Sequence, residues 1–101
     1  MSPIDVARIC KAFGDAHRLQ IVQLLTDGEK CGCELLAHFQ ITQPTLSHHM
    51  RVLADCGLIL SRREGKSIYY TLNCETLTAF RTFIEGLNCR KDAGGSCCGA
   101  E

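Results

Sequence analysis

Apolar residues fall at helical spacing over most of the chain and switch to strand-like runs once. Ser2 and Pro3 form a cap and a first-turn proline. Ile4, Val6, Ile9, Cys10 and Phe13 then predict a first helix ending at Gly14. Asp15 is a good N-cap for a second helix, whose Leu19, Ile21, Val22, Leu24 and Leu25 make a wide apolar face up to Thr26-Asp27-Gly28. A short third helix is expected over 34–39, and Gln40 and Ile41 make a tight turn. Thr42 caps a fourth helix with Pro44 in its first turn; it runs to about Cys56 and stops at Gly57. Two β-prone runs, 58–63 and 67–72, flank Glu64-Gly65-Lys66 and read as a hairpin. A last helix carries Leu77, Phe80, Phe83, Ile84 and Leu87 on one stripe. The chain therefore divides into one domain over 1–90 and a flexible Gly/Cys-rich tail over 91–101, too poor in apolar residues to fold alone.

Two short helices, a tight turn and then a hairpin is the element order of a winged helix-turn-helix, a mainly α fold with a β-hairpin wing. At about 100° per residue, Leu46, Met50 and Leu53 of the fourth helix share one core-facing side. Ser47, His48, Arg51 and Asp55 fall opposite, with Gln43 and Thr45 near the helix start. A merely solvated helix has a similar polar stripe. The capped start, the turn and the hairpin, taken in order, make this one a DNA-reading face. His48 and Ser47 are the expected base readers, and His49, beside the core face, is a packing residue. Arg62, Arg63 and Lys66 on the wing are expected to touch phosphates.

Charge agrees with this placement. The net charge is zero, but residues 41–72 carry four basic and two acidic side chains, a weak basic patch on the DNA-reading segment. No apolar run approaches the ~20 residues of a membrane span, and the first residues lack a signal-peptide core, so a cytoplasmic protein is expected. Eight cysteines in 101 residues would suggest a disulfide framework in a secreted chain. In a reducing compartment they point instead to soft-metal binding or redox sensing.

The segment Ile41-Thr42-Gln43-Pro44-Thr45-Leu46-Ser47-His48-His49-Met50-Arg51-Val52-Leu53 resembles the recognition segment of the ArsR/SmtB family of metal-sensing repressors. So does Gly57-Leu58-Ile59-Leu60-Ser61-Arg62-Arg63-Glu64-Gly65-Lys66 for the wing. Phe13-Gly14-Asp15-Ala16-His17-Arg18 is similar to the family's second-helix entry, although proline is commoner where Ala16 stands. The resemblance spans roughly residues 5–88. It implies a homodimer built on the first and last helices, binding operator DNA until a metal ion releases it.

Cys31 and Cys33 match the Cys-x-Cys of the family's arsenic-responsive and some cadmium- or lead-responsive members. The last helix has no histidine between Glu75 and Leu87 and so lacks the ligand pairs of the zinc sensors. Thiolates favour soft ions, and trivalent arsenic or antimony is the expected inducer, organoarsenicals included. Where arsenic sensors often carry a third cysteine, three residues on, this chain has Leu36. Cys10, Cys89, Cys97 and Cys98 are candidates for a third ligand, as is an outside thiol. Cys56 and Cys74 look structural. A helix beginning at Cys31 would point the two sulfurs about 200° apart, so chelation would have to open its first turn. No organic cofactor and no enzyme activity are expected, for there is no nucleotide loop and no suggestive His/Asp pair beside a cysteine. The alternatives are a cadmium/lead-responsive or thiol-redox-responsive repressor of the same fold, and a thiol-rich metal carrier.

Overall fold

The computed structural model describes residues 1–89, so the expected tail lies outside the described residues. The elements run α1 (Pro3–Ala12), α2 (Ala16–Leu25), β1 (Lys30–Cys31), α3 (Gly32–Leu36), α4 (Gln43–Asp55), β2 (Ile59–Glu64), β3 (Ser67–Leu72) and α5 (Cys74–Glu85). The helix starts follow from side chains that satisfy the first free N–H groups. Ser2 and Asp5 exchange hydrogen bonds across the first turn of α1, each 3.3 Å from backbone N to side-chain O. Asp15 Oδ1 accepts from the His17 and Arg18 N–H groups at 2.8 and 3.4 Å. Thr42 Oγ1 accepts from Thr45 N–H at 3.3 Å, and Asn73 Oδ1 from Thr76 N–H at 3.4 Å.

The stop after α4 is equally well defined. Gly57 has φ +82, the left-handed conformation that a Cβ disfavours. It lets Gly57 N–H reach Ala54 O at 3.0 Å and Leu58 N–H reach Leu53 O at 3.1 Å, the paired bonds of a Schellman cap. The same turn aims Leu58 inward, where it is completely buried, as is Leu53.

One core holds the helices together. Ile9 and Ala12 of α1, Ile21, Val22 and Leu25 of α2, Leu35 of α3 and Leu46, Met50 and Leu53 of α4 meet Leu58 and Ile59. The winged helix-turn-helix architecture expected from the pattern is the one observed. Two details differ. Helix α3 starts two residues earlier than expected and ends at Leu36, with turn-like bonds His38 N–H to Leu35 O and Phe39 N–H to Leu36 O after it. The chain also forms a two-residue strand, β1, that the pattern does not show. It joins the hairpin in a three-stranded antiparallel sheet of order β1-β3-β2. Cys31 lies opposite Tyr69, which in turn lies opposite Arg62.

Helix α5 buries no residue completely. Phe80 packs on Phe13 with ring centroids 5.6 Å apart. Ile84 and Leu87 stay exposed, as does Ile4 on α1.

Candidate nucleic-acid interface and thiol site

Helix α4 buries Leu46, Met50 and Leu53 together with His49, which leaves Gln43, Thr45, Ser47, His48 and Arg51 exposed. The polar face derived from the helical angle is therefore open to a ligand as large as a duplex. It has two flanks. Gln43 and Ser47 border a cleft toward α3 and the wing. His48 and Asp55 border a shallower depression toward Arg8 and Lys11 of α1.

The first cleft contains the cysteine pair. Cys31 is the residue before the first turn of α3, with extended backbone (φ −83, ψ 161), and Cys33 lies inside that turn. A disulfide joins the two, with Cα atoms 5.4 Å apart. The helix thus begins at Gly32, not at Cys31. The extended conformation of Cys31 turns its sulfur toward Cys33, and the two converge without any opening of the helix. Glu34 fixes this start by accepting from Cys31 N–H at 2.9 Å. Cys31 is buried and Cys33 exposed. Lys66 on the wing, Gln43 and Ser47 on α4, and Leu36 on α3 line the same cleft. The thiol pair is accordingly not remote from the reading face: it shares a cleft with its edge.

Arg62 differs most from expectation. Its Nε and terminal nitrogen donate to the two Glu29 oxygens at 2.9 and 2.8 Å, and a further nitrogen lies 3.4 Å from Glu64. Its guanidinium sits 4.7 Å from the Tyr69 ring centroid. The hydrogen bonds to Glu29 raise the Arg62 pKa, and the same bonds lower that of Glu29. The expected phosphate role of Arg62 is corrected on this geometry. Its charge is committed within the chain, tying the wing to the segment that leads into Cys31. Arg63 and Lys66 are exposed and make no ion pair among the described residues. Sequence reasoning missed Glu29 and Tyr69 because their partners lie across a strand pairing too short to leave an alternating pattern. An acidic residue two positions before the cysteine motif was the available signal.

A second cluster holds α2 against α4. The ligand atoms of Asp15, His17 and His49 lie within 4.8 Å of one another. Arg18 donates to Ala12 O at 2.6 Å and lies 3.1 Å from His49 Nδ1. Burial lowers the His49 pKa, against the opposing pull of Asp15. His49 is thus neutral and accepts from the guanidinium at Nδ1. An arginine donating into the cluster, and Asp15 already capping α2, mark it as packing between helices. His49 is the packing residue that its helical angle indicates.

Of the remaining candidate ligands, Cys10 is exposed on α1 and Cys74 is exposed at the start of α5. Cys56 is half-buried, donates to Leu53 O at 3.3 Å and has its thiol pKa pushed up by burial, as suits a structural residue. Among the described residues no third Cys, His, Asp or Glu joins Cys31 and Cys33 in a ligand group. Cys97 and Cys98 lie outside the described residues.

The geometry finds parallels in known proteins. Residues 15–61 match the model of a family described as bacterial regulatory protein, arsR family. The arsenical resistance operon repressor of Staphylococcus xylosus is 40% identical over 104 residues, covering 96% of this chain and 100% of that protein. A crystal structure of a possible transcriptional regulator for arsenical resistance superposes with TM-score 0.73 at 32% identity, over 80% of this chain and 84% of that one. The solution structure of a homodimeric winged helix-turn-helix DNA-binding domain from Mycobacterium bovis gives TM-score 0.68 at 31% identity, over 78% of this chain and 74% of that one. Helix-turn-helix, wing and near full-length similarity together place this chain in the arsR family of bacterial transcriptional regulators.

Proposed function

We propose that the protein is a cytoplasmic, homodimeric repressor that binds operator DNA through α4 and the wing and is released when trivalent arsenic or antimony bridges Cys31 and Cys33. The observation that carries this reading is the shared cleft: the convergent thiols stand beside Gln43, Ser47 and Lys66. Ser47 and His48 read base edges, with Gln43, Thr45 and Arg51 beside them, and Arg63 and Lys66 contact phosphates. The relative in Staphylococcus xylosus is a repressor of arsenical resistance, which supports a metalloid as the signal. The exposed Ile4, Ile84 and Leu87 on α1 and α5 supply an apolar surface for a second copy, as the homodimeric neighbour does by its assembly.

In the reduced protein, two thiols exchange for two hydroxides of the arsenic(III) hydroxide and release two waters. The two sulfurs and the third substituent then occupy the space between α3, α4 and β3. A ligand that is held less well when α4 sits in the major groove lowers DNA affinity by the same factor that DNA lowers ligand affinity.

The test uses a duplex selected from random DNA by the metal-free protein, followed by fluorescence anisotropy in a phosphine reductant. Arsenite and antimonite should release it, whereas zinc should not. Cys31→Ser and Cys33→Ser should hold the duplex with near-native affinity and ignore arsenite, because a hydroxyl is a poor ligand for a soft ion. Normal release from the double variant would move the sensor to the other cysteines. The disulfide favours a second reading, a repressor switched by thiol oxidation. Release by an oxidant together with indifference to arsenite in the reduced protein would select it.

A further inference from the structure

Trivalent arsenic makes three bonds, and this cleft offers two sulfurs. The third direction is decided by what stands around the pair. Leu36, three residues after Cys33, is half-buried and lines the cleft, and the walls beyond it are Leu46, Met50, Ile68 and Tyr70. No carboxylate, imidazole or further thiol of the described residues lines it. The space amounts to about 440 Å³, within the range of pockets that take small organic ligands. A hydroxide on the third bond would be pressed against hydrocarbon with few partners, which disfavours it. A carbon substituent suits the same position.

We infer that the preferred inducer is a monoorganyl arsenic(III) species, bound as a dithiolate through Cys31 and Cys33 with its organic group in the Leu36–Met50–Ile68 cleft. This rests on the reading that the thiol pair is the sensor. The exchange is R–As(OH)₂ plus two thiols giving R–As(S)₂ plus two waters. It involves no change of oxidation state, provided the disulfide has first been reduced by a dithiol or phosphine. The organic group touches Leu46 and Met50, the residues that seat α4 in the core, so its bulk acts on the recognition helix itself. Leu36 is the specificity-determining residue, since it takes the place of a third donor.

Release midpoints for arsenite, methylarsonous acid and phenylarsonous acid on the full-length reduced protein test the assignment. Each is normalised to competition by a small free dithiol, which has no cleft, so that intrinsic arsenic–sulfur affinity cancels. After normalisation, phenylarsonous acid should act at a concentration about tenfold or more below arsenite, with the methyl compound between, as burial of a ring and of a methyl group requires. Leu36→Cys should reverse the order by favouring arsenite. Ile68→Ser should weaken the phenyl compound and leave arsenite unchanged. A normalised phenyl midpoint equal to or above that of arsenite in the wild-type protein would overturn the inference while leaving the thiol sensor intact. If no arsenical releases the duplex, the sensor reading itself fails. The wild-type comparison decides the matter even where a variant misfolds.

Discussion

The Arg62–Glu29 pair separates two accounts of the wing, and Glu29→Gln tells them apart. In the structure both Glu29 oxygens accept from Arg62, at 2.8 and 2.9 Å, while Glu64 stands farther off at 3.4 Å. Glutamine keeps one acceptor and loses the charge, so the arginine is freed toward DNA. Each phosphate neutralised by a protein cation contributes about 0.9 to the slope of log K against log salt. Glu29→Gln should therefore steepen that slope by about 0.9, an additional loss of about threefold in affinity between 50 and 200 mM salt. Arg62→Ala should leave the slope unchanged, because the wild-type side chain is engaged elsewhere. Adding Glu29→Gln to Arg62→Ala should change it no further, which controls for the removed carboxylate itself. The assay is a salt series of anisotropy titrations on one duplex. A slope flattened by about 0.9 in Arg62→Ala and unaltered in Glu29→Gln would show that Arg62 leaves Glu29 to meet a phosphate, and the tie between wing and thiol segment would have to be abandoned.

Three other expectations concern stability and assembly. His49 has a pKa below the ordinary imidazole value, so the unfolded chain takes up its proton first as pH falls. Its contribution to stability is present above about pH 6.5 and is lost as pH drops through its folded value, and His49→Gln should flatten urea midpoints measured between pH 8 and 5. Identical pH profiles for the two proteins would contradict the neutral, arginine-bonded histidine. Leu35 is completely buried in the core, and Leu35→Ala should lower unfolding free energy by about 2–5 kcal/mol; a loss under about 1 kcal/mol would mean that α3 is not anchored as described. Phe83→Glu should give monomers or unfolding in sedimentation, and an intact dimer of native stability would remove α5 from the proposed interface.

How much of this was legible in the sequence depends on the range of the interaction involved. Caps and stops are written within a few residues, so Asp15, Thr42 and Gly57 marked their helix ends correctly. The core face of α4 followed from periodicity alone and placed His49 beside Leu46 and Met50, where it is buried. Strand β1 was not legible, since two residues cannot show a period of two and the pairing depends on Tyr69 and Tyr70 some forty positions away. That one pairing changes the reading of the site. By holding Cys31 extended it moves the start of α3 to Gly32, which turns the two sulfurs together where an unbroken helix would have set them apart. It also brings Glu29 to Arg62, withdrawing from the wing a cation that composition alone assigned to DNA. Leu36 was the converse case. As a sequence position it was only the absence of an expected cysteine. In the cleft it is a wall, and the missing donor becomes a reason for the ligand to carry carbon there.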